Sequence, residues 1–206
     1  LRIGGNLTVT DSGNCFQSWN AHVTEFKGDT THTINFYSSD VNYLNFVRVT
    51  DGGKLLLSGN TTGFTLDSDV TFANESTLRG NRTLNLNGHI LTVDGDFYQG
   101  GFLIENESPD VNITADSTMN VTGDYRHFDG ILNIAGNLHV NGGYCQNRQG
   151  RGEATDGILY MNYENCLFDV DGDAVFWSAQ TADYQNSGVL RIGGNLTVTD
   201  SGNCFQ

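Results

Sequence analysis

The apolar residues of this chain fall into short alternating pairs that run into a glycine. Six copies read LRIGGN at Leu1–Asn6, LLLSGN at Leu55–Asn60, LTVDGD at Leu91–Asp96, MNVTGD at Met119–Asp124, LNIAGN at Leu132–Asn137 and FDVDGD at Phe168–Asp173. A period of two puts Leu91 and Val93, or Leu132 and Ile134, on one face of a strand. Gly then admits a left-handed or bulged backbone, and Asp or Asn bonds its own turn. Each copy predicts one short strand entering a corner.

The same grammar predicts strands at Thr31–Phe36, Leu44–Val49, Gly53–Leu57, Thr83–Leu86, Ile90–Val93, Phe102–Ile104, Ile131–Ile134, Asn137–Val140, Gly157–Met161, Leu167–Val170, Val189–Ile192 and Leu196–Val198. No segment shows a 3.6-residue period, so no helix is predicted. Strands this short with one apolar face are not stable alone and must stack. The corners at Gly59, Gly95, Gly123, Gly136, Gly172 and Gly194 are unevenly spaced. The step from Gly123 to Gly136 is the shortest, and those from Gly59 to Gly95 and from Gly136 to Gly172 are the longest. That spacing excludes a strict short-period helix and predicts coils of unequal length. The most polar insertion, Gln146–Asp156, reads as a surface loop.

The chain also repeats on a larger scale. LRIGGNLTVTDSGNCFQ runs from Leu1 to Gln17 and again, letter for letter, from Leu190 to Gln206. Residues 1–189 read as one complete tandem unit and 190–206 as the start of the next. Two all-β architectures compete. A sandwich needs a closed globule per unit and a linker between units, yet the junction GVLRIGGNLTVTDSG continues the strand grammar without one. The expectation is an all-β fold, a β-solenoid (irregular β-helix) whose coils stack continuously from unit to unit. At about 4.8 Å per stacked coil, roughly eight or nine coils would add on the order of 40 Å of length per unit.

Composition narrows the function. Ten Lys and Arg stand against 24 Asp and Glu, a net charge of −14. No basic stripe exists to neutralise phosphates, so nucleic acid is not an expected partner. Nor is direct membrane contact through a polybasic face. An acidic exterior suits a soluble molecule that resists lateral association.

Thr31–Gly59 (THTINFYSSDVNYLNFVRVTDGGKLLLSG) and Leu84–Tyr144 (containing LTVDGDFYQGGFLI) resemble the uncharacterised tandem repeat modules of very long surface proteins of Gram-positive bacteria such as Clostridia. Those modules carry "hxLxVxGDhxQxGGxLxI" and "xQTIxFxSxxxxhxNLxI" patterns. This chain departs from the second at His32, where the pattern has Gln. The resemblance spans about two thirds of the unit. It implies a β-solenoid on a cell surface or in an extracellular fibre, and it brings no catalytic residues.

Few residues suggest chemistry. Asp169, Asp171 and Asp173 lie at alternate positions of DVDGD, and hard carboxylate oxygens suit calcium. The spacing fits neither an EF-hand loop nor a Gly-Gly-x-Gly-x-Asp repeat, and the simpler reading is Asp facing outward beside a turn. No other cofactor is expected. His22, His32, His89, His127 and His139 have no ligand spacing and read as turn or solvent positions. Asn-x-Ser/Thr triplets begin at Asn6, Asn60, Asn74, Asn81, Asn106, Asn112 and Asn120; most read as turn and strand-surface residues. Phe97, Tyr98, Tyr125, Phe128, Tyr144, Tyr160, Tyr163, Phe176 and Trp177 read as core and corner fillers, with a glycan-stacking face as the alternative. Each unit owns three cysteines. Cys145 and Cys166, separated by about one coil, are predicted to form a disulfide. Cys15 is then left free or pairs with a neighbouring fibre.

No nucleophile elbow or phosphate loop is present, so enzyme activity is not expected. The sequence points to a structural repeat of an extracellular or cell-surface fibre. Its partners are adjacent copies of the same repeat, with neighbouring fibres or surface glycans after them. The alternatives are an adhesin stalk, or a carbohydrate- or calcium-binding surface module. A β-helical glycan-active enzyme ranks below both.

Overall fold

The computed structural model describes residues 1–38, 42–101, 108–146, 157–176 and 185–198. The described residues are all-β, wound as a solenoid. The first coil supplies β1 (Arg2–Ile3) and β2 (Leu7–Val9); the second supplies β3 (Val23–Lys27) and β4 (Thr31–Phe36). Next come β5 (Phe46–Thr50) and β6 (Lys54–Gly59), then β7 (Thr65–Leu66), β8 (Val70–Ala73) and β9 (Ser76–Leu78). The following coils carry β10 (Thr83–Asn85), β11 (Ile90–Asp94) and β12 (Phe97–Gln99), then β13 (Asp110–Ile113), β14 (Thr118–Val121) and β15 (Tyr125–His127). Above these lie β16 (Ile131–Ile134), β17 (Asn137–Val140) and β18 (Tyr144–Gln146), then β19 (Ile158–Tyr160), β20 (Leu167–Val170) and β21 (Ala174–Phe176). The last described coil holds β22 (Val189–Ile192) and β23 (Leu196–Val198).

These strands form three parallel sheets along the axis. The first sheet runs β1-β3-β5-β7-β10-β13-β16-β19, the second β2-β4-β6-β8-β11-β14-β17-β20-β22, and the third β9-β12-β15-β18-β21-β23. Neighbours in a sheet come from successive coils, so the backbone hydrogen bonds run along the solenoid axis.

Alternation decides what is inside. In β11, β14, β17 and β20 the inward residues are Leu91 and Val93, Met119 and Val121, Leu138 and Val140, and Phe168 and Val170. Register places them in two continuous columns. All eight are buried, and each contributes about 1.5–3 kcal/mol relative to exposure. A slip of one residue would turn a whole strand inside out, so the columns also fix the register.

Coil length varies, as the uneven glycine spacing predicts. The coil from Thr118 to its partner Asn137 is short, whereas the next, from Asn137 to its partner Leu167, is much longer. Most of the extra residues lie between the third sheet and the first, and the rest between β19 and β20. The predicted loop falls there, although all of it after Gln146 lies outside the described residues, as does the predicted strand Phe102–Ile104.

The corner glycines serve two purposes, one of them the expected one. A left-handed backbone occurs at Gly59 (φ 64°) and Gly95 (φ 136°). At Gly123, Gly142, Gly172 and Gly194 the requirement is space. Gly123 N donates to Gly95 O, Gly142 to Gly123, Gly172 to Gly142 and Gly194 to Gly172, at 2.9–3.0 Å. A Cβ at Gly123 would stand 2.2 Å from Asp96 Oδ1, and one at Gly142 2.4 Å from Asp124 Oδ1. The backbone of each coil rests so closely on the coil below that no side chain fits.

Candidate functional site

The corner between the second and third sheets carries the most regular polar arrangement among the described residues. Beside the glycine column runs a column of aspartates. Asp96 Oδ1 accepts the N–H of Asp124 at 2.8 Å, and Asp124 Oδ1 accepts the N–H of Gly143 at 2.8 Å. Asp173 Oδ1 repeats the contact with the N–H of Asn195 at 2.7 Å. Each carboxylate caps the backbone of the coil above, a use of Asp familiar from turns but directed here between coils.

That geometry gives the three candidate calcium ligands separate tasks. Asp173 is occupied by Asn195. Asp169 faces outward on β20, 3.7 Å from His139 Nδ1 and 3.8 Å from Arg191 Nη1. Asp171 is exposed in the turn, where its N–H donates to Val140 O. Among the described residues no three His, Cys, Asp or Glu side chains converge as a metal would need.

The two cysteines predicted to bridge are not bonded to each other; both remain thiols. The structure corrects the assumption that they lie one coil apart. Cys145 sits on the outer face of β18, registered on Arg126 below and Val175 above. Cys166 is buried in the turn before β20, with Sγ 3.9 Å from Ser187 O. The coil that starts at Cys145 therefore closes at Val175, well beyond Cys166. Burial pushes both thiols above their ordinary pKa, against a reactive role.

A second polar column lies inside the third sheet. Gln99, His127 and Gln146 stack in register and are fully buried. Gln99 Nε2 donates to Pro109 O at 2.8 Å and Ile131 O at 3.0 Å, while its Oε1 accepts the Tyr125 hydroxyl at 2.7 Å. His127 Nε2 lies 2.9 Å from Gly130 O and Nδ1 lies 3.0 Å from the Tyr144 hydroxyl. A carbonyl only accepts, so Nε2 carries the proton and Nδ1 accepts from Tyr144. Gln146 Nε2 donates to Gly157 O. Each of the three ties down the connection that leaves its own strand.

Burial pushes the His127 pKa down to about 4, opposed by the Gly130 carbonyl. Burial likewise raises Tyr125 and Tyr144 well above the usual phenol value. The expectation that all five histidines lie in turns or solvent is corrected here: His32 and His127 are fully buried. The signal lies in YRH and FYQ, where a polar third residue follows an inward aromatic by two positions. Gln and His there break the apolar pattern that marks a strand, so the alternation does not predict β12, β15 and β18.

Phe97, Tyr125, Phe128, Tyr144 and Phe176 are buried, as core fillers should be. Tyr125 and Tyr144 rings meet at 5.8 Å, and Tyr144 meets Phe168 edge-on at 4.8 Å. Tyr98 and Tyr160 face outward on different sheets, Tyr163 is exposed in a turn, and Trp177 lies outside the described residues. Several of the triplet asparagines are engaged in bonds between coils. Asn6 Oδ1 accepts the Thr33 N–H, Asn81 Oδ1 accepts the Ser108 N–H, and Asn112 accepts from Asn133.

A cleft of about 240 Å³ opens at the corner between the first and second sheets, where the end of β5 and the turn after it face β8 and β11. It is lined by Val49, Gly52, Asp69, Thr71, Ile90 and Thr92. The Asp69 carboxylate accepts the Ile90 N–H at 2.9 Å, a structural contact.

No family model, curated protein or solved structure matches this chain.

Proposed function

We propose that this chain is a structural repeat of an extracellular or cell-surface fibre, in which tandem units continue one solenoid. The observation that carries the reading is the duplicated segment. At the start of the chain it forms strands that stack onto β3 and β4; near the end it forms strands that stack onto β20 and β21. One copy of the segment thus stacks on the coil that follows it and the other on the coil that precedes it, with no linker at either place.

The energetics favour length over a site. Inward columns of Leu, Val, Ile and Phe pass through the sheets, and hydrogen bonds run along the axis. A repeat stack of this kind gains stability from each neighbouring coil. The acidic exterior keeps fibres apart, and the inward columns leave most large rings unavailable for a ligand. The resemblance to bacterial surface modules fits the same role, and catalysis has no part in it.

Electron microscopy of chains carrying one, two and four units tests the proposal. Thin straight rods that lengthen with each unit support it. Separate globules on a string would overturn it.

A further inference from the structure

One short sequence occupies two different seats. Leu1–Val9 places β1 in the first sheet and β2 in the second, with Ile3 registered on Phe26, Leu7 on Ile34 and Val9 on Phe36. Leu190–Val198 has the same sequence. It places β22 in the second sheet and β23 in the third, with Ile192 on Val170, Leu196 on Ala174 and Val198 on Phe176. The seats differ by one sheet of the three.

The corner IGGNL explains how both are accommodated. Between the first and second sheets the chain turns through Ile134-Ala135-Gly136-Asn137-Leu138. Between the second and third it turns through Val93-Asp94-Gly95-Asp96-Phe97. Both have an inward apolar residue, a spacer, Gly, then Asn or Asp, and a second inward apolar residue. In the first seat Asn6 Oδ1 accepts the Thr33 N–H at 2.8 Å, and Gly5 O accepts from His32 Nδ1 at 2.9 Å. In the second seat Gly194 N donates to Gly172 O, and Asn195 N donates to Asp173 Oδ1. Nothing in the segment itself chooses the corner. The coil it rests against chooses.

Inside an array the segment has a coil on both sides. The following coil offers the first seat and the preceding coil the second, and one segment takes one seat at a time. We infer that the surface by which each unit receives the next is a two-position joint, in which LRIGGNLTV exchanges between these seats. This rests on the fibre reading. Both seats register the same apolar residues on inward residues of a neighbouring coil, and the Gly-Asn corner finds a bonding partner in each through different atoms, so each seat is a defined alternative for the other.

Position 197 reports on the choice. In the second seat Thr197 is registered on Val175; in the first, its counterpart Thr8 is registered on Asn35. Adjacent parallel strands hold such pairs within the Cα separation a disulfide accepts. In the 206-residue chain with its native cysteines replaced, Thr8→Cys with Asn35→Cys, and separately Val175→Cys with Thr197→Cys, should each close under mild oxidation.

A two-unit chain then carries three reporters: Val175→Cys before the joint, Thr197→Cys within it, and Asn35→Cys in the following unit. Peptide mapping should find position 197 bridged to both partners across the population, in amounts within about tenfold of each other. A single bridge accounting for all the product would overturn the two-position joint and leave the fibre reading standing. No bridge to either partner, in a chain whose single-unit controls close, would overturn both.

Discussion

Asp124 bonds two other coils at once: its N–H reaches Asp96 Oδ1 below, and its Oδ1 receives the Gly143 N–H above, each at 2.8 Å. The aspartates of the repeated Gly-Asp corner are thus caps between coils. Asp124→Ala leaves the Gly143 N–H without its partner and should destabilise by about 1–3 kcal/mol. Asp124→Asn keeps an Oδ1 acceptor and loses only the half-exposed contact with Arg126, a change of about 0–1 kcal/mol. Urea denaturation of the two variants separates a capping role from a charge role. Because these oxygens already serve backbone N–H groups, adding calcium or a chelator should leave the midpoint of melting unchanged.

His127 should make the fold acid-sensitive. Its pKa is about 4 when folded, against an ordinary value of 6.5. Above that ordinary value both states are neutral and the group contributes no pH dependence. As pH falls from there, the unfolded chain takes up a proton that the folded chain refuses, so stability declines until the folded pKa is reached. The shift corresponds to about 3 kcal/mol at most. Urea unfolding of the wild type and His127→Gln at several pH values tests this. The gap between the two should narrow from pH 7.5 toward pH 4.5, and a constant gap would contradict it.

Two glycines separate crowding from backbone strain. Gly130 (φ 79°) and Gly88 (φ 83°) share a left-handed conformation. A Cβ at Gly130 would stand 2.1 Å from Pro109 O, whereas a Cβ at Gly88 meets nothing within 4 Å. Gly88→Ala should lose about 1–2 kcal/mol from conformation alone. Gly130→Ala should lose well over that, because backbone must move. Equal losses in thermal melts would show that the coils are not as closely packed at Pro109.

Thiol chemistry tests the coil register. With Cys145 and Cys166 on different columns, oxidation should yield no bridge between them. Cys15 is exposed and Cys166 buried, so a thiol reagent should modify Cys15 quickly and Cys166 only as the turn opens. Peptide mapping after timed labelling checks both.

Much of this fold is written in the alternation. β11, β14, β20 and the corners after them follow from LTVDGD, MNVTGD and FDVDGD, because each apolar residue there points inward and each Gly-Asp ends a strand. The third sheet is not legible for a physical reason. Its strands are three residues long, and Gln99, His127 and Gln146 are buried polar residues whose Nε2 groups donate to connections that the sequence does not show. The cysteine pairing fails on the same point. Cys145 and Cys166 are as far apart in the chain as the registered pair Val111 and Leu132, which does span one coil. The connection after β18 makes the coil that starts at Cys145 longer. The duplication tells of an array, but not that its two copies take different seats, since both corners share one grammar.

Solution X-ray scattering of one-unit and two-unit chains decides whether the units continue one solenoid. Eight strands of the second sheet, β2 to β20, belong to one unit. At about 4.8 Å per coil, a second unit should lengthen the particle by on the order of 40 Å. The radius of the cross-section should stay the same. A wider cross-section, or two compact bodies with a variable distance between them, would contradict continuous stacking.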